Sequence, residues 1–77
     1  MYLVEAKGEN GEVYFFDGLG KLYIGDEAAY EYQITAYNPD NTASLILTDK
    51  TGKQFEAMLD YGNANDVTLT IGDAINE

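Results

Sequence analysis

Apolar and polar residues alternate with a period of two along most of this chain, and that pattern fits strands far better than helices. Tyr2, Val4 and Ala6 fall on one face of a first strand, with Glu5 and Lys7 on the other, and Gly8-Glu9-Asn10-Gly11 reads as a turn. The return through Glu12-Val13-Tyr14-Phe15-Phe16 is apolar on both faces, which predicts a strand covered twice or lying at an interface. Gly18-Leu19-Gly20-Lys21 breaks it, and Leu22-Tyr23-Ile24 is a short strand ending at Gly25-Asp26. In the middle of the chain Tyr30, Tyr32, Ile34 and Ala36 share one face, while Glu31, Gln33, Thr35 and Tyr37 share the other. Asn38-Pro39-Asp40-Asn41 is a strong turn, because proline presets φ and Asn and Asp tolerate the left-handed region.

Ala43, Leu45 and Leu47 continue the inward face, with Ser44, Ile46 and Thr48 outward. Asp49-Lys50-Thr51-Gly52 fits a type I turn whose glycine takes the positive φ of a bulge. Phe55, Ala57 and Leu59 then point in, and Gln54, Glu56, Met58 and Asp60 point out. A polar loop from Gly62 to Asp66 leads to Val67-Thr68-Leu69-Thr70-Ile71, which alternates again, and the last residues are expected to form one helical turn or to fray.

With 77 residues the chain makes one domain, residues 1–77. A chain of this size buries only about 60% of its unfolded surface, so small domains often need a disulfide or a metal. There is no cysteine and no histidine, so neither a disulfide nor a thiolate or imidazole metal site is open to it. Apolar packing must suffice, aided by seven tyrosines and three phenylalanines. The expected class is all-β. The first architecture is a small SH3-like barrel over residues 22–71 decorated by an N-terminal hairpin over residues 1–17, because closure removes exposed sheet edges. The alternatives are an open, strongly twisted antiparallel meander and a small sandwich.

Fourteen Asp and Glu face four Lys and no Arg, a formal net charge of −10. That charge repels nucleic acid and anionic lipid, so neither direct nucleic-acid binding nor a membrane role is expected. It favours a basic protein surface, unless acidity serves solubility alone. No basic leader precedes an apolar run and no stretch approaches the ~20 apolar residues of a membrane span, which makes the cytoplasm the expected location.

Asp60-Tyr61-Gly62-Asn63, followed by Val67, resembles the DYGN signature of Tudor domains, and Ala36-Tyr37 before the Asn38-to-Asn41 turn resembles that family's first hairpin. The resemblance covers residues 22–71 loosely and four residues tightly. It implies an SH3-like barrel with an aromatic cage for a methylated arginine or lysine, to which Tyr61 and Tyr37 would contribute. This chain departs from the family at Thr42 and Ala43, where aromatics are usual, and at Asn65, where an acid is usual. Since a cage needs about three aromatic faces around the cation, the resemblance speaks for the barrel more than for the cage.

Catalytic chemistry finds little to work with. Ser44 is the one serine, it falls on a strand, and no histidine stands by to activate it. Asp26-Glu27 and the same-face Glu56 and Asp60 are the nearest carboxylate pairs, and such pairs are ordinarily solvated surface charges. Asp60, Asn63, Asn65 and Asp66 carry the hard oxygen donors that calcium takes, without the spacing of a helical calcium loop, so no metal and no cofactor is expected.

The expected activity is therefore binding. Asp26, Glu27, Glu31, Glu56 and Asp60, with Tyr37, Tyr61 and Asn63, are the candidate partner-binding residues, and Glu31, Glu56 and Asp60 on adjacent strands would form a lysine-free field. Such a surface suits a basic groove built for a nucleic-acid backbone. In size and charge the chain is similar to small acidic inhibitors of phages and mobile elements that imitate nucleic acid, the anti-CRISPR-like proteins. Two other readings stand beside this one: a reader barrel centred on Tyr61, and a homodimer or assembly protein joined through Tyr14 and Phe16 in the apolar second strand.

Overall fold

The structure is a computed structural model that describes residues 2–75, with side chains from Val4 onward. Seven strands follow one another: β1 (Tyr2–Lys7), β2 (Val13–Asp17), β3 (Lys21–Ile24), β4 (Glu27–Tyr37), β5 (Thr42–Asp49), β6 (Gln54–Asp60) and β7 (Thr68–Ala74). Each pairs antiparallel with the next, and β1 meets β7 in parallel to close a barrel. An odd number of alternating staves forces that last pairing to be parallel. The closure is narrow: Lys7 sits opposite Thr68, and the Lys7 N–H donates to the Val67 carbonyl at 2.9 Å. The chain is thus all-β and a small barrel, as its alternation predicts, and among the described residues no helix is long and apolar enough to cross a membrane.

The N-terminal hairpin does not decorate a barrel made by the rest. β1 and β2 are two of its staves, because β2 pairs with β3 as well as β1 and β1 meets β7 to close the ring. The strand β7 also runs on to Ala74, where one helical turn or fraying was expected. The side chain of Tyr2, and residues 76–77 of that expected terminal turn, lie outside the described part.

Four of the hairpins turn in the same way. Residues 8–12, 17–21, 38–42 and 49–53 each place their fourth residue in the left-handed region: Gly11 at φ 87°, Gly20 at 92°, Asn41 at 63° and Gly52 at 89°. Only glycine, or asparagine less readily, takes this conformation cheaply. Two of these turns spell Asp-x-x-Gly-Lys. The Asp17 Oδ1 accepts from the Leu19 and Lys21 N–H groups at 2.9 and 2.8 Å, and the Asp49 Oδ1 accepts from Thr51 and Lys53 at 2.9 and 3.0 Å. In the first hairpin Gly8 takes the aspartate's place, since a Cβ there would meet the Tyr14 ring at 2.8 Å, and Glu12 caps the Asn10 N–H instead.

The core is one cluster inside the barrel. Leu22, Leu45, Leu47 and Leu69 are at most 2% exposed, joined by Ala6, Tyr14, Phe16, Ala57 and Leu59. Phe16 packs edge-on to Tyr32 with ring centroids 5.0 Å apart, and Tyr30 edge-on to Phe55 at 6.2 Å. The buried Tyr14 phenol has its pKa pushed up to about 12, first by burial and then by Glu12. Asp17 is the one buried acid among the described residues. Its carboxyl is held below the usual range by the Lys21 N–H, against the opposing effect of burial, and its carbonyl accepts from the Tyr32 hydroxyl at 2.7 Å.

One expectation for β4 fails. Tyr30 and Tyr32 face inward and pack on the core, but the alternation then breaks at a β-bulge between Ile34 and Ala36. Ile34 pairs with Leu45, Ala36 with outward Ser44, and Tyr37 with inward Ala43. The extra residue therefore turns Ala36 outward and brings Tyr37 to the face of Ile34, opposite to the strict period-two reading.

Candidate binding surfaces

The acidic residues separate into neutralised and free groups. Lys21 stands opposite Glu31 in the β3–β4 ladder, and its Nζ lies 2.8 Å from Glu31 Oε2. Lys50 pairs with Glu27. Both carboxyls are held below their usual pKa by the hydrogen bond from their lysine and then by its charge. The expected lysine-free field of Glu31, Glu56 and Asp60 does not form. β5 lies between, with Thr48 opposite Glu31 and Ile46 opposite Glu56, and Glu31 already has its cation. Asp26 is exposed in the turn between β3 and β4, beside the neutralised Glu27 and apart from Glu56 and Asp60.

A different acidic face exists on β5–β7. Glu56, Asp60 and Asp73 line one open concavity of about 510 Å³ together with Met58, Thr68 and Thr70, and no lysine lines it. Asp60 lies opposite Thr68 and Met58 opposite Thr70, so carboxylates and hydroxyls alternate over this sheet, with Met58 43% exposed among them. Glu56 and Asp60, four residues apart on one strand, stand roughly 13 Å apart. That exceeds the Debye length of about 8 Å at physiological salt, so one small cation cannot serve both and a spread of cations can.

The second surface is the barrel mouth. Val4, Ile34, Ala43, Leu59, Ala64 and Val67 line a groove of about 530 Å³, joined by Tyr37 and Tyr61, and Glu5 is its single charged residue. Tyr37 is 72% exposed and Tyr61 37%. The β4 bulge places Tyr37 here, and a hydrogen bond from the Tyr61 N–H to the Asn41 carbonyl at 3.0 Å ties Tyr61 to the neighbouring turn. Two aromatic side chains and one carboxylate meet at one site, although nothing in the linear order joins Glu5 to the other two. No protein-family model, curated protein or solved structure matches the chain. Its chemistry has to be read from these surfaces alone.

The loop after β6 holds its polar atoms for itself. Asp60 Oδ1 accepts from the Gly62 N–H, Asn63 Oδ1 from the Asn65 N–H, and the Asn63 carbonyl from the Asp66 N–H. Asn63 is thereby a turn-former beside the groove and does not line it. Among the described residues no group of three or more acids is placed to hold a metal ion.

Tyr14 and Phe16, expected at a dimer interface, are buried in the barrel instead. They are 5% and 3% exposed and lie inside the monomer's own core, where they cannot form a dimer contact. The run that looked apolar on two faces has one face in the barrel and a half-buried Val13 and Phe15 on the other.

Three functional candidates escaped the sequence reading. From the sequence Asp73 reads as an acid in a turn just past a strand end, Ile34 as core, and Glu5 as an ordinary outward charge. A bulge, a longer β7 and a ring closure brought them to these surfaces, and no local signal marks any of the three.

Proposed function

We propose that this chain is a non-catalytic binding protein, an inhibitor or adaptor that sets the outer face of β5–β7 against the basic surface of a nucleic-acid-handling protein, in place of a phosphate backbone. The observation that supports it is the grouping of Glu56, Asp60 and Asp73 with Thr68 and Thr70 on a lysine-free sheet, while Glu27 and Glu31 are taken up by lysines elsewhere. Spaced carboxylates backed by hydroxyl acceptors match the cations and donors that a phosphate-binding groove presents. A cytoplasmic setting belongs to the same proposal.

The test is capture from a lysate at low and high salt, with DNA as competitor. The partner should be retained at low salt, released by salt and displaced by DNA. Glu56→Gln, Asp60→Asn and Asp73→Asn together should abolish retention, whereas Glu27→Gln with Glu31→Gln should not. Retention indifferent to salt, to DNA and to the triple substitution would reject the reading.

One observation favours a second reading, a reader of a cationic or methylated side chain. Tyr37 and Tyr61 line one groove with Glu5, giving two ring faces and a counter-charge for an alkylated ammonium. Tyr61→Ala should then lose binding to a methyl-lysine peptide while the circular dichroism spectrum stays that of the parent.

A further inference from the structure

The barrel is closed, yet β4 has a free edge. β3 pairs with β4 only across Glu27–Glu31, and the last bond on that side runs from the Tyr32 N–H to the Gly20 carbonyl at 2.9 Å. Gln33–Tyr37 continue for five more residues and pair only with β5. The two-residue repeat turns the Ile34 N–H and carbonyl the same way as those of Tyr32, toward the side β3 has left. Beyond the bulge, the Asn38 N–H points at Thr42, which turns the Tyr37 N–H away from β5 again. Among the described residues no partner takes up either group.

That edge carries no charge and no proline, and residues of those kinds normally keep a strand edge from pairing. The side chains of the same two residues, Ile34 and Tyr37, line the mouth groove. Leu19, 90% exposed and next to Gly20, stands at the foot of the edge. A strand laid beside β4 would extend the sheet past the end of β3. Every second side chain would fall over the apolar groove and the rest would face solvent.

We propose that residues 33–37 of β4 bind an extended segment of a basic protein partner by strand addition, with apolar side chains alternating into the mouth groove and cationic ones outward. Charge selects the occupant. Glu5 is the one charged residue of the groove, and a second copy of this chain would bring a net −10 against −10. The proposal shares with the inhibitor reading only the cationic nature of the partner and does not use the β5–β7 face, whereas it occupies the same mouth groove as the reader reading.

The probe is the acetylated, amidated peptide Lys-Val-Lys-Val-Lys-Val-Lys, followed by amide hydrogen exchange in the whole chain. Exchange at Ile34 and Tyr37 should slow by about tenfold or more at saturation, because these amides gain acceptors. The same peptide N-methylated on alternate residues, in each of the two phases, keeps charge and side chains but loses donors from one edge. One phase should lose binding. If both bind as the parent peptide does, the contact is not a strand and the proposal fails. The Glu-Val analogue should not bind. Ile34→Pro, which removes an outward N–H, should also abolish protection at Tyr37, with folding checked by circular dichroism. The combined Glu56→Gln, Asp60→Asn and Asp73→Asn variant should bind the peptide as the parent does, and loss there would move the contact to the sheet face and overturn the edge. Protection of Ile34 and Tyr37 that rises with protein concentration and without peptide would assign the edge to a second copy and equally overturn it.

Discussion

Tyr14 and Asp17, both on β2, are titratable groups whose environments oppose each other, and each yields a pH dependence of stability. The Tyr14 phenol has a folded pKa raised from 10.0 to about 12, so folding favours its proton. Its contribution is complete below pH 10 and is lost as pH rises toward 12. Tyr14→Phe should therefore show a smaller fall in urea midpoint between neutral and strongly alkaline buffer than the parent. Asp17 behaves in reverse. Its carboxyl is lowered from 3.8 by the N–H groups that it holds, so its contribution is present above that value and lost as pH falls through the folded one. Asp17→Ala should unfold more easily at neutral pH, with the gap from the parent closing in acid. A gap independent of pH would mean that the carboxylate charge does not hold the 18–20 turn. Both residues are legible only in part: Tyr14 reads as an interface residue because it is aromatic and apolar, and the sole mark of Asp17 is the Asp-x-x-Gly-Lys spacing that recurs at Asp49.

Among the elements, hairpins were the most legible and strand ends the least. The turns at 8–11, 38–41 and 49–52 were placed from glycine, proline and asparagine, since those residues fix local backbone geometry without help from the rest of the chain. Two glycines separate the physical causes. At Gly52 a Cβ would meet nothing within 4 Å, so Gly52→Ala isolates the strain of φ 89° and should cost about 1–2 kcal/mol in denaturant unfolding. At Gly8 φ is not left-handed, but a Cβ would strike Tyr14 at 2.8 Å and the end of Glu12 at 2.5 Å. Glu12 can swing aside and the buried ring cannot, so Gly8→Ala should cost about 1–3 kcal/mol through packing. Trimming Tyr14 to Leu should relieve part of that second loss and none of the first. The bulge in β4 had no such local mark: Ile34-Thr35-Ala36-Tyr37 reads as a regular strand, and the extra residue is tolerated because β3 ends before it.

At the scale of the molecule, fourteen acids and four lysines share a barrel with extents of 33 × 28 × 25 Å. Among the described residues two lysine–carboxylate pairs are formed, both exposed, and exposed pairs contribute little. At a net charge of −10, self-repulsion among the remaining acids is expected to outweigh them. Added sodium chloride, up to about the Debye-screening range of 0.15 M, should raise the thermal midpoint, by an amount on the order of 5 °C. A midpoint that fell with salt would show that the two ion pairs matter more than the net charge.

Alternation, turn residues and the missing cysteine and histidine determined an all-β chain held by apolar packing, down to the inward faces of β5 and β6, because those properties are decided by near neighbours in sequence. Ring closure decided the rest. It made β1 and β2 staves of the barrel and buried Tyr14 and Phe16, while the pairing of β4 with its two neighbours gave Glu27 and Glu31 their lysines. It also gathered Glu5, Ile34, Tyr37 and Tyr61 at one mouth. Register across strands distant in sequence depends on where each neighbouring strand ends, and no residue carries that information alone.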